Sequence, residues 1–260
     1  MTTIISWNVN GIRAVSGKGL FEWMTATDAD MICLQETKAK PAQLTKEFFE
    51  IPTKDGGVYE YSFSSAVRPG YSGVALYSKR KPESVCGLGI PEFDDEGRYL
   101  EADFGNYLVI SAYFPNSQDA GARLDYKLRF CTAVLTHLNK LVAAGRNIVL
   151  CGDYNIAHMP IDLARPESNG QNPGYLPEER EFMSQFLAAG YIDTFRHLNP
   201  GVKDRYSWWS YRMRAREKNV GWRIDYACIN ASLLPRLKAA DIHDAVIGSD
   251  HCPVSVVLDF

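Results

Sequence analysis

The chain has 260 residues, 46% of them hydrophobic, and a formal charge of -3. That length buries one large core in one domain, or at most two, and the acidic balance excludes a globally basic nucleic-acid binder, so any polyanion must meet a local patch. None of the six cysteines forms a C-x-x-C pair, which argues against zinc and dithiol chemistry; no start suggests a signal peptide and no apolar run nears the ~20 residues of a membrane span, so a soluble cytoplasmic protein is expected.

Short β-type runs alternate with amphipathic stretches along the whole chain. TTIISWNV (2–9) predicts a strand, GLFEWMTATD (19–28) a helix, and DMICLQET (30–37) a buried strand. SGVALYSK (72–79) predicts another strand, and RYLEADF and YLVISAYF flank a Gly105-Asn106 hairpin turn. Over 122–144, Leu124, Leu128, Cys131, Leu135, Leu138 and Val142 form a 3.6-residue stripe, with Gly145 as its stop, which predicts a helix. NIVLCGD (147–153) returns to strand, and Pro177 opens a helix closed by Gly190. WRIDYACIN (222–230) and CPVSVVLDF (252–260) are the last predicted strands. Hairpins with helices between them predict an α/β layered sandwich in a single domain, residues 1–260.

The apolar strands share an oddity: their ends are polar. One ends in Asn8 and Asn10, one in Glu36, one in Tyr113 and Asn116, and one in Asp153 and Asn155. Asp225 interrupts WRIDYA, and Asp250 with His251 precedes the final strand. Any one of these reads as a cap or a turn, but six strand termini of the same chemistry gathered at one edge read as a site. Oxygen ligands without thiolates suit Mg²⁺ or Mn²⁺. An aspartate beside an imidazole fixes its tautomer and favours the protonated ring. The set points to metal-assisted attack of water on a phosphoester. From Lys203 to Arg223, seven basic residues stand against two acidic ones, with Tyr206, Trp208, Trp209, Tyr211 and Trp222 interleaved. That is the composition of a DNA-backbone and minor-groove surface.

SWNVNGIRA, CLQETK, GYSGVALYS, AYFPN, GDYNIAH, KNVGWRIDY and GSDHCPV, in this order from residue 4 to 258, resemble the exodeoxyribonuclease III-type abasic-site endonucleases of the endonuclease/exonuclease/phosphatase superfamily. NVGWRIDY is similar to the DNA-repair branch rather than the phosphoinositide or sphingomyelin branches. The resemblance implies an α/β four-layer sandwich, two packed mixed β-sheets flanked by helices. It implies a Mg²⁺-dependent hydrolase, with Mn²⁺ as a substitute. The implied substrate is double-stranded DNA with abasic sites or blocked 3′ ends, cut 5′ to the abasic site to leave a 3′-hydroxyl. Secondary 3′-phosphodiesterase and 3′→5′ exonuclease activities, a monomer and no membrane partner go with it. The compartment is cytoplasmic in a bacterium or nuclear in a eukaryote.

The implied roles are these. Glu36 binds the metal with Asn10 and Asp250 nearby. Asp153 orients or deprotonates the water, Asn155 and Asn8 hold it, His251 donates to a phosphate oxygen, and Asp225 pairs with the imidazole. Tyr113, Asn116 and Asn172 contact the scissile phosphate, and Asn169 lies near the flipped nucleotide. Whether Asp153 or an ionised Tyr113 accepts the proton stays open. Trp208, Trp222 and Ile224 form a small apolar pocket that admits a baseless sugar and excludes one carrying its base. Arg13, Tyr71, Arg123 and Arg212 extend the DNA surface. Two positions depart from eukaryotic relatives: Arg212 replaces a Met wedge, and Asp119 an inserting Arg. An aspartate facing phosphate repels it, so a weaker hold on product is expected, with Arg123 as a substitute clamp. The rivals are a lipid or phosphoinositide phosphoesterase and a DNA-binding module without catalysis.

Overall fold

The computed structural model describes residues 1–260. In chain order the first half contains β1 (Thr2–Asn8), α1 (Ile12–Ser16), α2 (Leu20–Thr27), β2 (Met31–Gln35), β3 (Glu60–Ser64), β4 (Val74–Ser78), β5 (Ser84–Cys86), α3 (Pro91–Asp94), β6 (Tyr99–Asp103) and β7 (Leu108–Tyr113). The second half contains α4 (Leu124–Ala143), β8 (Ile148–Asp153), α5 (Pro166–Asn169), α6 (Pro177–Ala188), β9 (Tyr191–Asp193), α7 (Thr194–Leu198), β10 (Asp225–Asn230), β11 (Leu237–Ile242) and β12 (Val254–Leu258). The strands form two mixed six-stranded sheets, ordered β11-β12-β1-β2-β4-β3 and β5-β6-β7-β8-β10-β9. Helices cover both outer faces, so the four-layer α/β sandwich expected from sequence is the fold.

The period-2 alternation of each strand assigns its two faces to different layers. In β1, Ile4 packs into the core between the sheets, while Ile5 and Trp7 pack outward with Ile12, Val15 and Met24 of α1 and α2. In the second sheet, Val109, Val149, Cys151, Ala227 and Ile229 face the inter-sheet core. Ile110, Leu150 and Cys228 face outward against Phe130, Val134, Leu138, Met183 and Phe186 of α4 and α6. The inter-sheet layer is therefore a buried apolar core shared by the two sheets.

All eight interior strands coincide with strands predicted from sequence. The four that carry no sequence signal, β3, β5, β9 and β11, are the four edges of the two sheets. An edge strand is paired on one side only, and here β5 and half of β11 are solvent-exposed, so apolar alternation is weak. The Gly105 turn is as expected: Gly105 takes φ 83°, and the Phe104 amide donates to the Tyr107 carbonyl across it.

The face of α4 needs a correction. The leucine stripe puts Leu124, Leu128, Leu135 and Val142 in the core, but the fully buried residues are Lys127, Phe130, Cys131, Val134 and Leu138. Val142 is 37% exposed. The inward face is rotated because a lysine, matched by Glu179 of α6 at 2.7 Å, occupies a core position that a hydrophobic count assigns to leucine.

Candidate active site

The register of the sheets lines up the polar strand ends. In the second sheet Tyr113 of β7 pairs with Asp153 of β8, and Asp153 with Asp225 of β10. In the first sheet Asn8 pairs with Gln35, the residue before Glu36. Side chains of the same parity run from apolar to polar towards this end: Ile4, Ser6, Asn8; Met31, Cys33, Gln35; Val149, Cys151, Asp153; Ile229, Ala227, Asp225. The site is thus the polar end of the inter-sheet layer. Gln35 donates across it to Ser111 (3.1 Å), and Ser6 donates to Gln35 (3.2 Å).

Asp153 is buried and fully engaged. Its Oδ2 accepts from Asn8 Nδ2 (2.9 Å) and Asn155 Nδ2 (3.1 Å), and its Oδ1 accepts from the Asn155 amide (2.8 Å). His251 Nδ1 lies 2.8 Å from Asp225 Oδ2, and its Nε2 lies 3.9 Å from Asp153 Oδ2. The Ser207 hydroxyl accepts from the amides of Ile224 (3.0 Å) and Asp225 (3.1 Å), which sets where Asp225 enters the site. Asp225 Oδ1 is buried with no partner.

Two upward shifts of different cause follow from this packing. Burial, with Asp225 and Glu36 adding their charge, pushes the Asp153 carboxyl up to about 7. Burial opposes charge on His251, but Asp225 and Asp153 outweigh it and push the imidazole up to about 10. Tyr113 is half-buried beside Glu36, and desolvation and the Glu36 charge both push its phenol well above the ordinary range. At neutral pH this leaves a charged imidazole, a carboxyl near its titration point and a neutral phenol.

Ligand atoms of Glu36, Asp153 and His251 lie within 4.8 Å of one another. His251 is held protonated and has no lone pair to offer a metal, so the useful donors are oxygens. Burial opposes the Glu36 charge, yet Lys38 and Asn8 hold its carboxyl below the usual range. Lys38 Nζ contacts Glu36 Oε2 (2.7 Å) and donates to Asn10 Oδ1, so these two oxygens already converge on a cation. Asn10 Nδ2 in turn donates to Asp250 (2.9 Å), which also accepts from Trp208 Nε1 (3.1 Å). A hard divalent cation fits this all-oxygen set.

The strand ends open onto a cavity of about 270 Å³. Eleven of its 13 lining residues are ones singled out in the sequence, so the constellation is a single site: Glu36, Tyr113, Asn116, Asp153, Asn155, Asn172, Trp208, Trp222, Ile224, Asp250 and His251. The rings of Trp208 and Trp222 meet edge to face at 6.2 Å. Asn116 Nδ2 donates to Asn155 Oδ1 (3.0 Å). Asn8 and Asp225 stand behind the wall as hydrogen-bond partners.

The remaining candidates lie outside the cavity lining. Asn169 accepts from Asn172 Nδ2 (2.7 Å) at the rim. Arg13 and Arg212 are exposed. Tyr71 and Arg123 belong to a separate cluster, where Arg123 donates to Glu96 (2.7 Å) and to the Tyr71 hydroxyl, and buried Arg98 donates to the same hydroxyl (2.7 Å). Pro173 and Gly174 complete the cavity without having been singled out, and neither Lys38 nor Ser207 was given a role. Gly174 carried a readable signal only in retrospect: it takes φ +90°, and a Cβ there would meet the Asn155 carbonyl at 3.2 Å and Trp222 at 3.3 Å. Next to Arg212, Tyr211 and Met213 are 70% and 82% exposed.

With this geometry in place, comparisons agree on kinship. Residues 5–251 match the Endonuclease/Exonuclease/phosphatase family. The chain is 43% identical over 258 residues to an exodeoxyribonuclease of Bacillus subtilis (strain 168), covering 98% of this chain and 99% of the relative. It is 40% identical to a DNA-(apurinic or apyrimidinic site) endonuclease of Dictyostelium discoideum, covering 98% of this chain and 70% of that one. The crystal structure of an AP endonuclease from Leishmania major superposes with a TM-score of 0.89 at 26% identity, covering 100% of this chain and 88% of that one.

Proposed function

The chain belongs to the endonuclease/exonuclease/phosphatase family, and from that premise we propose that it is a DNA-repair hydrolase that cuts the phosphodiester 5′ to an abasic site and leaves a 3′-hydroxyl. The observation that carries this reading is the joining of hydrolytic groups to an apolar pocket: Asp153 and His251 share one cavity with Trp208, Trp222 and Ile224. A baseless sugar fills such a pocket, and it is also the nucleotide that flips out of the stack at the lowest cost. Removal of blocked 3′ ends and 3′→5′ trimming are the same chemistry at a strand terminus. Both sheets contribute to the one site, which supports reading residues 1–260 as a single catalytic domain. A monomer is the proposed state.

Asp153 is the proton acceptor for the attacking water: its carboxyl, pushed up to about 7, loses its proton near neutral pH, whereas the Tyr113 phenol is held neutral. Asn8 and Asn155 fix the carboxylate through three hydrogen bonds, so its orientation is set before substrate arrives. His251, protonated and steadied by Asp225, donates Nε2–H to a phosphate oxygen. Tyr113, Asn116 and Asn172 offer hydroxyl and amide hydrogens to the same phosphate. Glu36, with Asn10 and Asp250 nearby, would hold Mg²⁺ or Mn²⁺, which when bound offsets phosphate charge. The basic run from Lys203 to Arg223, with Arg13 and Arg212, meets the DNA backbone. Such an enzyme works where the DNA is, in the cytoplasm of a bacterium or the nucleus of a eukaryote.

The test is cleavage of two labelled duplexes, one with a central abasic analogue and one intact, each with Mg²⁺, Mn²⁺ or EDTA. Metal-dependent nicking confined to the abasic position supports the reading, and EDTA should abolish it. Shortening from 3′ ends without central nicking would reassign the pocket to blocked or recessed ends. No cutting of either duplex would overturn the proposal.

A further inference from the structure

Behind the cavity lies an ion pair that the hydrolytic chemistry does not use. Lys127 of α4 and Glu179 of α6 are both fully buried. Their hydrogen bonds tie together three segments that end in the site. Lys127 Nζ donates to the Asn155 carbonyl (2.7 Å), behind the residue that orients Asp153. Glu179 Oε1 accepts from the Ser117 hydroxyl (2.6 Å), next to Asn116. Glu179 Oε2 accepts from the amides of Gly174 (2.7 Å) and Leu176 (3.0 Å), in the segment that walls the cavity. Asn155 holds a left-handed backbone angle, φ 52°, which in a residue with a Cβ persists where surrounding contacts impose it; at Gly174 a φ of +90° is open to glycine without that cost.

We propose that the Lys127–Glu179 pair is a positioning element that holds Gly174 against Trp222 and so sets how strictly the pocket excludes a nucleotide that still carries its base. The proposal rests on the reading of the cavity as an abasic-sugar pocket. A Cβ at Gly174 would lie 3.2 Å from the Asn155 carbonyl oxygen and 3.3 Å from the Trp222 ring, tighter than ordinary contact, so the wall is closely fitted there. The only other main-chain tie on Gly174 is its carbonyl, which accepts from the Ala157 amide (2.7 Å). Loosening the Glu179 side frees the wall to move away from Trp222 and widens the pocket. None of the hydrogen bonds of Asp153 or His251 is made to Glu179 itself: Asn8 still donates to Asp153 and Asp225 still holds His251, while Asn155 is tied only to the Lys127 side of the pair.

The experiment compares wild type with Glu179→Gln at a temperature where circular dichroism shows both folded. Two rates are read, nicking of a duplex with an abasic analogue and 3′→5′ shortening of an intact duplex. Their ratio should fall by at least about tenfold in the variant, the range a mis-sized pocket gives, with intact-duplex shortening kept or raised. Amide exchange of Gly174 and Leu176 should quicken by at least about tenfold relative to that of Ile110 in the core, since a glutamine has one oxygen for the four donors that Glu179 serves, Lys127, Ser117, Gly174 and Leu176. Parallel loss of both activities, or unchanged exchange at Gly174 and Leu176, overturns the proposal. Glu179→Gln strands the lysine charge, so if it does not fold, Lys127→Met with Glu179→Gln is read in its place and the same fall in ratio is expected. If wild type cuts both duplexes alike, the abasic reading fails in that arm alone and the specificity claim falls with it. The exchange rates then still decide whether the pair clamps the wall.

Discussion

Asp225→Asn isolates what the aspartate does for His251. Asparagine has the same shape and its carbonyl still accepts from Nδ1–H, but the charge is gone. In the wild type, Asp225 at 2.8 Å and Asp153 at 3.9 Å raise the imidazole from 6.5 to about 10 in spite of its burial. A contacting carboxylate is worth about one to three pH units, so the variant's imidazole should titrate between about 7 and 9. At pH 9 the wild-type ring is then mostly charged and the variant's ring half-charged at most. Losing a charged donor to the phosphate costs on the order of 100- to 1000-fold in turnover, and that deficit should grow with pH. The imidazole is followed by NMR in the metal-free protein, and turnover by a pH–rate series on abasic duplex with Mg²⁺. Stability gives a second readout. A histidine raised in the folded state contributes stability that is fully present below its unfolded value of about 6.5 and is lost as pH rises through its folded value. The Tm gap between wild type and variant should therefore be widest below about pH 6.5 and close towards about pH 10. A variant imidazole that still titrates within about half a pH unit of wild type would refute the reasoning, because the shift would then not come from Asp225.

Asp153→Asn should lower turnover by at least about 100-fold, the scale of a lost general base, while the Kd for abasic duplex in EDTA stays within a few fold; surviving turnover would move the proton acceptor elsewhere. In the wild type the rate should fall as pH drops through about 7, where the Asp153 carboxyl takes up its proton. Asp119→Arg, on an exposed turn, should slow dissociation of nicked product in a stopped-flow displacement assay; an unchanged off-rate would mean that Asp119 does not face the DNA.

Most of the sandwich was readable because its interior strands must be apolar on both faces. β2, β4 and β8 are buried at every position and stand out as continuous runs, MICLQ, VALYS and IVLCGD. Edge strands escape the same test, since EYSFS and LKAADI keep one face or one side in water. The site residues were readable for a related reason: a carboxylate at the end of a buried strand contradicts its surroundings. Lys127 gave no such contrast. On a helix, a lysine flanked by a leucine stripe reads as solvent-facing, and only the position of Glu179 in space reverses that reading. Ser207 acts through Asp225, and Lys38 joins its neighbour Glu36 to the distant Asn10, links that no local pattern reports.

The parity of the strands explains why the chemistry sits where it does. β1, β2 and β8 supply apolar residues to the inter-sheet core and then, two or four residues on and on the same face, a polar one, while antiparallel β10 begins with its polar Asp225 and continues with Ala227 and Ile229. Asp153 follows Val149 and Cys151 in this way, and Asn8 follows Ile4. The carboxylate therefore inherits the dryness of the core, and burial is the first cause of its rise to about 7. Moved one residue along β8, it would point to the outer face against α4 and α6, away from Asn8 and His251. The same packing strengthens the Asp225 charge felt at His251, so both groups are pushed up: the carboxyl towards working pH, the imidazole above it, where it stays charged. A change that let water into the inter-sheet end, such as a polar substitution at Cys151, should then lower the Asp153 value and the His251 value together, even though Cys151 touches neither reacting group.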